Sequence, residues 1–111
     1  MRSTDFLGKT ITITIDRPLG SKHPRHNFLY PINYGYVPNT VSGDGHPIDA
    51  YVLGVGQPIQ EFTGVCIAII KRKEEDDDKL VLVPKGVSFT KEEIEKRVHF
   101  QEQWYTIEII F

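Results

Sequence analysis

Cysteine is almost missing from this chain. The single Cys66 excludes an internal disulfide and any zinc site built from four cysteines. It lies in "VCIAII", an apolar run where a small buried thiol is the expected state. Long hydrophobic runs are also missing, and that stretch is far short of the roughly 20 residues a membrane-spanning helix needs. Arg2 and Asp5 come early and no apolar leader segment follows, so the expectation is a cytoplasmic protein with no membrane partner. A surplus of charge is missing too. The formal net charge of -2 argues against a general nucleic-acid binder. With 111 residues, 40% of them hydrophobic, the chain is expected to form one domain over 1–111 with a core of its own.

What is there reads mostly as strand. "KTITITIDR" alternates Thr with Ile, the period of two that marks a half-buried strand. "RPLGSKHPRHN" then breaks regular structure with two prolines and a glycine. "FLYPINYGYV" is aromatic and extended, and its prolines and Gly35 exclude a helix. "IDAYVLGV" reads as another strand, and "GVCIAIIKRK" and "KLVLVP" as two more joined by the charged turn "EEDDD". Thr90 with Glu93 three residues on has the capping-box spacing, so a helix is expected to start there. Ile94, Val98, Gln101 and Tyr105, or Phe100 and Trp104, recur at helical intervals beyond it. "TIEIIF" closes the chain as a short strand. The fold class expected is mainly β, a small OB-like closed β-barrel with one C-terminal α-helix.

Charge is unevenly placed along this plan. Arg17, Lys22 and Arg25 lie close together with His23 and His26, and no acid occurs between Asp16 and Asp44. Acids begin at "SGDGHPIDA" and gather again from Glu74 to Asp78. Basic groups on one loop and acids on two others can hold anionic oxygens and cations side by side. Each run taken singly is a solvated loop. Asp44 between two glycines is a ready turn residue, and His46 an exposed one. Tyr34 and Tyr36 fit barrel rim or core, and Lys79 an edge-guarding charge.

"YPINYGYVPNTVSGDGHPIDAYVLG" resembles the signature region of the soluble inorganic pyrophosphatases. "DDKLVLVP" resembles that family's Asp-x-Lys-Leu-Val-x-x-Pro, and "IEKRVHFQEQWY" is similar to its C-terminal helix. The resemblance implies an OB-like barrel, a cytoplasmic enzyme that often forms homo-oligomers, and Mg²⁺-dependent hydrolysis of pyrophosphate as its small-molecule substrate. It implies metal-binding roles for Asp44, Asp49 and Asp77, with Asp44 and Asp49 also catalytic, and His46 beside them is expected to act as a weaker catalytic base. Tyr34 and Lys79 match phosphate-contacting positions, and Arg17 and Lys22, or Arg25, stand where basic groups are needed. Mg²⁺ suits such a set, because it binds a few carboxylates and keeps several waters. The chain departs from the family at His46, where the motif carries an acid. It departs again at Trp104 and Tyr105, where the family has a Tyr-Lys pair. The alternative is a non-catalytic OB-like barrel that binds a phosphate-rich ligand, such as a nucleotide or single-stranded nucleic acid, through its aromatic residues.

Overall fold

The computed structural model describes residues 2–111. After a short 3₁₀ turn at Ser3–Phe6, which the sequence reading did not anticipate, the elements run in one order. They are β1 (Thr10–Arg17), β2 (Asn33–Tyr36), β3 (Asp49–Val52), β4 (Glu61–Arg72), β5 (Lys79–Val83), α1 (Lys91–Glu102) and β6 (Ile107–Ile110). The strands order as β1-β2-β3-β5-β4, and β1 pairs again with β4, which closes a five-stranded barrel. Strand β6 extends the sheet along the far end of β4, from Ile69↔Ile110 to Arg72↔Ile107. All pairings are antiparallel except β3 with β5, which run parallel with Asp49 beside Lys79.

Two apolar layers hold the barrel together. Ile13, Ile15, Ala50, Val52, Cys66, Ile69, Leu80 and Leu82 come from four strands and fill the inside. Tyr34, Tyr51, Ala68, Ile70, Val81 and Val83 face outward and are covered by Ile94 and Val98 of α1. Strand β5 lies under both layers, so every residue from Lys79 to Val83 is buried. That is why "KLVLV" shows no polar-apolar alternation.

Local chemistry sets the boundaries of these elements. The Thr90 hydroxyl accepts from the Glu93 amide at 3.2 Å, and the Glu93 carboxylate accepts from the Thr90 amide at 2.9 Å, closing the capping box that starts α1. Gly35 is required by space: a Cβ there would stand 2.0 Å from the Thr14 carbonyl oxygen on β1. On β4 the register slips between Cys66 and Ala68. This bulge changes the strand's phase, so that Cys66 and Ile69 both point inward while Ala68 and Ile70 point toward α1.

Burial raises the Cys66 thiol to about 11. A thiol so rarely ionised, with no measurable solvent exposure, is expected to resist alkylation at pH 8 until the barrel unfolds. Mass spectrometry of iodoacetamide-treated protein with and without denaturant checks this. Rapid labelling of the native protein would contradict the packing described.

Candidate active site

The alternation along each strand assembles a polar site on the outer face, beside the last turn of α1. Asp49 and Tyr51 share a face of β3, and the register sets Asp49 against Lys79 and Tyr51 against Tyr34. On β4, the bulge sends Arg72 to the same face two residues beyond Ile70. Strand ends thus deliver a lysine, an arginine and an aspartate to one place, and the turn before β5 adds Asp77.

Lys79 is the centre of the group. Its side chain is only 3% exposed, and its Nζ donates to Asp49 Oδ2 at 2.6 Å and to Asp77 Oδ2 at 2.8 Å. Arg72, almost as buried, donates through Nη1 to Asp77 Oδ2 at 3.3 Å and to Glu75 Oε1 at 2.7 Å. Its Nε and Nη2 hold Glu102 in a two-pronged bond of 2.8 and 2.7 Å. Burial opposes the Arg72 charge, but the bonds to Glu102 outweigh it and keep the guanidinium firmly protonated. The Tyr105 ring covers that guanidinium at 3.8 Å. Glu102 also accepts from the Tyr51 hydroxyl at 2.5 Å, Gln101 donates to that hydroxyl at 2.8 Å, and Tyr30 donates to Gln101 at 2.8 Å. Every buried polar side chain in this chain of bonds is therefore joined to the next, from Tyr30 to Asp49.

One atom is left over. Asp77 Oδ1 is buried and has no hydrogen-bond partner among the described residues. Burial raises the Asp77 carboxyl above its ordinary range, with Lys79 pulling the other way. Burial raises Asp16 as well. Burial likewise lifts Tyr34 well above the usual phenol value, with Tyr51 and Asp49 adding to it.

A cavity of about 510 Å³ opens over this group. Its walls include Asp49, Lys79, Arg72, Tyr34 and Asp16 at the polar end. Arg17, His23, Arg25 and His26 come from the loop after β1, His46 from the acidic turn, and Trp104 and Tyr105 from just past α1.

The sequence candidates divide accordingly. Asp49, Asp77, Lys79 and Tyr34 are brought together, and Arg17 and His46 line the same cavity. Lys22 is not among the lining residues; its backbone bridges to Leu29 within the loop, and Arg25 lines the wall in its place. Asp44 turns back on its own loop: its Oδ1 accepts from the Ser42 hydroxyl and from the His46 amide. Though burial works the other way, those bonds hold the Asp44 carboxyl below its ordinary value. Gly45, at φ +85°, supplies the left-handed residue that this turn requires. Among the described residues, no three His, Cys, Asp or Glu side chains gather closely enough to hold a metal unaided. Arg72, Glu102, Tyr51 and Gln101 carry no sequence signal of a place in the site, because each sits in a stretch that reads as ordinary strand or amphipathic helix.

Residues 9–109 match the family model described as "Pyrophosphatase: Inorganic pyrophosphatase". The chain belongs to the inorganic pyrophosphatase family. An inorganic pyrophosphatase of Saccharolobus solfataricus is 31% identical over 78 residues, covering 67% of this chain and 42% of the relative. One from Xylella fastidiosa is 38% identical over 68 residues, covering 55% of this chain and 36% of the relative. The matched segments thus span well under half of these relatives' own length. Among solved structures, an inorganic pyrophosphatase from Ehrlichia chaffeensis superposes with a TM-score of 0.70 at 20% identity, covering 92% of this chain and 85% of that one. A Helicobacter pylori inorganic pyrophosphatase gives 0.64 at 20% identity, covering 90% and 81%. These two likenesses establish the pyrophosphatase barrel. No helix among the described residues is long and apolar enough to cross a membrane.

Membership in the pyrophosphatase family implies a divalent metal cofactor. The residues present fit one: Asp77 Oδ1 is a buried oxygen in want of a cation, and Asp49 stands across Lys79 from it. Two carboxylates completed by waters and substrate oxygens are a common way of holding a hard divalent ion.

Proposed function

We propose that this chain binds and hydrolyses pyrophosphate in the cavity above Lys79. The observation that carries the reading is the pairing of Asp49 and Asp77 around one lysine, with Asp49 and Lys79 lining a cavity that Arg17 and Arg25 also wall. Asp49 and Asp77 would hold the metal, taken as Mg²⁺, with Asp44 able to join from its exposed turn. That ion would neutralise phosphate charge and make a bound water more acidic.

The remaining chemistry falls to the chain's own side chains. An ammonium has three donors, and two of the Lys79 donors are spent on Asp49 and Asp77. The third is left for a substrate oxygen. Arg17 gives one bond to its neighbour's carbonyl at 3.0 Å and keeps further donors for the anion. Tyr34 lies beside Lys79, whose Nζ stands 5.9 Å from its ring centre, and offers that ammonium a ring face. His46 stands at the rim, where a neutral imidazole would take the proton from the attacking water. The water oxygen bonds to one phosphorus, the bridging P–O bond breaks, and two orthophosphates leave. Positioning and charge stabilisation supply most of the rate in such transfers.

Phosphate release from pyrophosphate with Mg²⁺ tests the reading, alongside Asp49→Asn. That substitution keeps the shape of the side chain and removes one charge. It is expected to weaken Mg²⁺ binding at least about tenfold while the thermal midpoint changes little. A parent protein that releases no phosphate, or an Asp49→Asn variant that titrates Mg²⁺ like the parent, would sink the proposal.

A further inference from the structure

The polar floor occupies only one end of the cavity. The other end is built of flat rings. His26 stacks on Trp104 with centroids 4.6 Å apart and planes 17° from parallel. Phe28 lies 6.1 Å from Trp104 at 25°, and 6.0 Å from His26 at 8°. Behind them, Phe28 meets Phe100 edge-on at 5.7 Å, which ties the shelf to α1 and to the aromatic core. His23 is locked into this loop, since its Nδ1 accepts the amides of Arg25 and His26 at 3.0 and 3.1 Å. The neutral ring therefore carries its proton on Nε2.

An inorganic anion has no use for such a shelf. The faces of stacked rings offer it no donors, and the cations it needs lie at the Lys79 and Arg17 end. Core packing does not account for Trp104 either, because the residue is left 53% exposed. The volume of about 510 Å³ falls in the range of pockets that bury small organic ligands. A ligand that fits both ends has a multiply charged diphosphate joined to a flat aromatic ring.

We propose that the cavity takes a base-bearing diphosphate, of the nucleoside diphosphate class, with its phosphates over Lys79 and Arg17 and its base stacked on the Trp104–His26 shelf. The proposal rests on the phosphate end assigned above and adds a second subsite to it. Indole and imidazole faces stack on any base, so the subsite recognises aromaticity more than base identity. Arg25 lines the same cavity and adds a cation to it.

The chain's single tryptophan makes the test direct. Two uncleavable ligands, α,β-methylene-ADP and methylenediphosphonate, share the phosphate end and differ in the base. In Mg²⁺ buffer, α,β-methylene-ADP is expected to quench Trp104 fluorescence, and methylenediphosphonate to leave it nearly unchanged. By calorimetry, Trp104→Ala should lower the affinity ratio of the first ligand to the second about tenfold, while Trp104→Phe keeps most of that ratio. Circular dichroism confirms that both variants fold. No quenching, or an equal loss for both ligands in Trp104→Ala, would overturn the base subsite. Absence of pyrophosphate hydrolysis, with the ratio still falling in Trp104→Ala, would remove only the hydrolytic reading and leave the base subsite standing.

Discussion

Lys79→Gln is expected to lose about 3 kcal/mol of folding stability in metal-free buffer. The substitution leaves the Asp49 and Asp77 carboxylates together with no cation between them, one of them largely buried. Breaking a buried ion pair from one side strands the partner charge, which costs more than the pair itself contributes. The low end of that range applies, because the Asp49 side chain is 32% exposed and water screens it. The same variant carries a second, opposite expectation. With the ammonium gone, a divalent cation can bridge the two carboxylates, so millimolar Mg²⁺ should restore much of the lost stability by binding the folded state alone. Urea unfolding of parent and variant, each with and without Mg²⁺, measures both effects. A variant as stable as the parent without metal would show that the pairing is not structural.

Arg72→Met is expected to cost about 4 kcal/mol, the most of any single change considered. The guanidinium joins four partners at once, and Glu102 is 2% exposed with both oxygens committed to Arg72 and Tyr51. Removing the cation leaves Glu102 buried and uncompensated at the end of α1. Neutralising the acid as well should recover part of the loss, so Arg72→Met with Glu102→Gln is expected to be more stable than Arg72→Met alone. A double-mutant cycle read by denaturant midpoints measures the coupling. Simple additivity would mean that the two residues are not joined in solution. The function-related consequence is on Asp77, which Arg72 holds by Oδ2 and so keeps Oδ1 turned to a buried, unpartnered position.

The parts of this fold that were legible in the sequence are those set by near neighbours. The Thr-Ile alternation of β1 and the Thr90–Glu93 capping box act within a few residues, and both appear as expected. Asp49, Asp77 and Lys79 stood out through the family resemblance, and the parallel pairing of β3 with β5 explains how their separated positions meet. Arg72 and Glu102 were not legible, because their meeting joins residues thirty positions apart. "GVCIAIIKRK" carries no alternation from which the facing of Arg72 could be read. Tyr51 lay in a stretch legible only as strand; it is core, while its hydroxyl serves a buried carboxylate. Asp44 shows the converse: a motif position with a ready local bond satisfies itself on its own turn.

The slipped register between Cys66 and Ala68 also governs how this chain can change in length. Ile67 is the extra residue there: with it taken out, Cys66, Ala68 and Ile69 would still face Leu82, Val81 and Leu80, and every side chain that follows would keep its side. Taking out Ile69 instead would turn Ile70 into the barrel and Arg72 toward its dry lining. The acidic turn from Glu74 to Asp78 has no such slack, because Glu75 and Asp77 on it hold Arg72 and Lys79. A one-residue deletion is thus tolerable at Ile67 and would dismantle the site two positions further on.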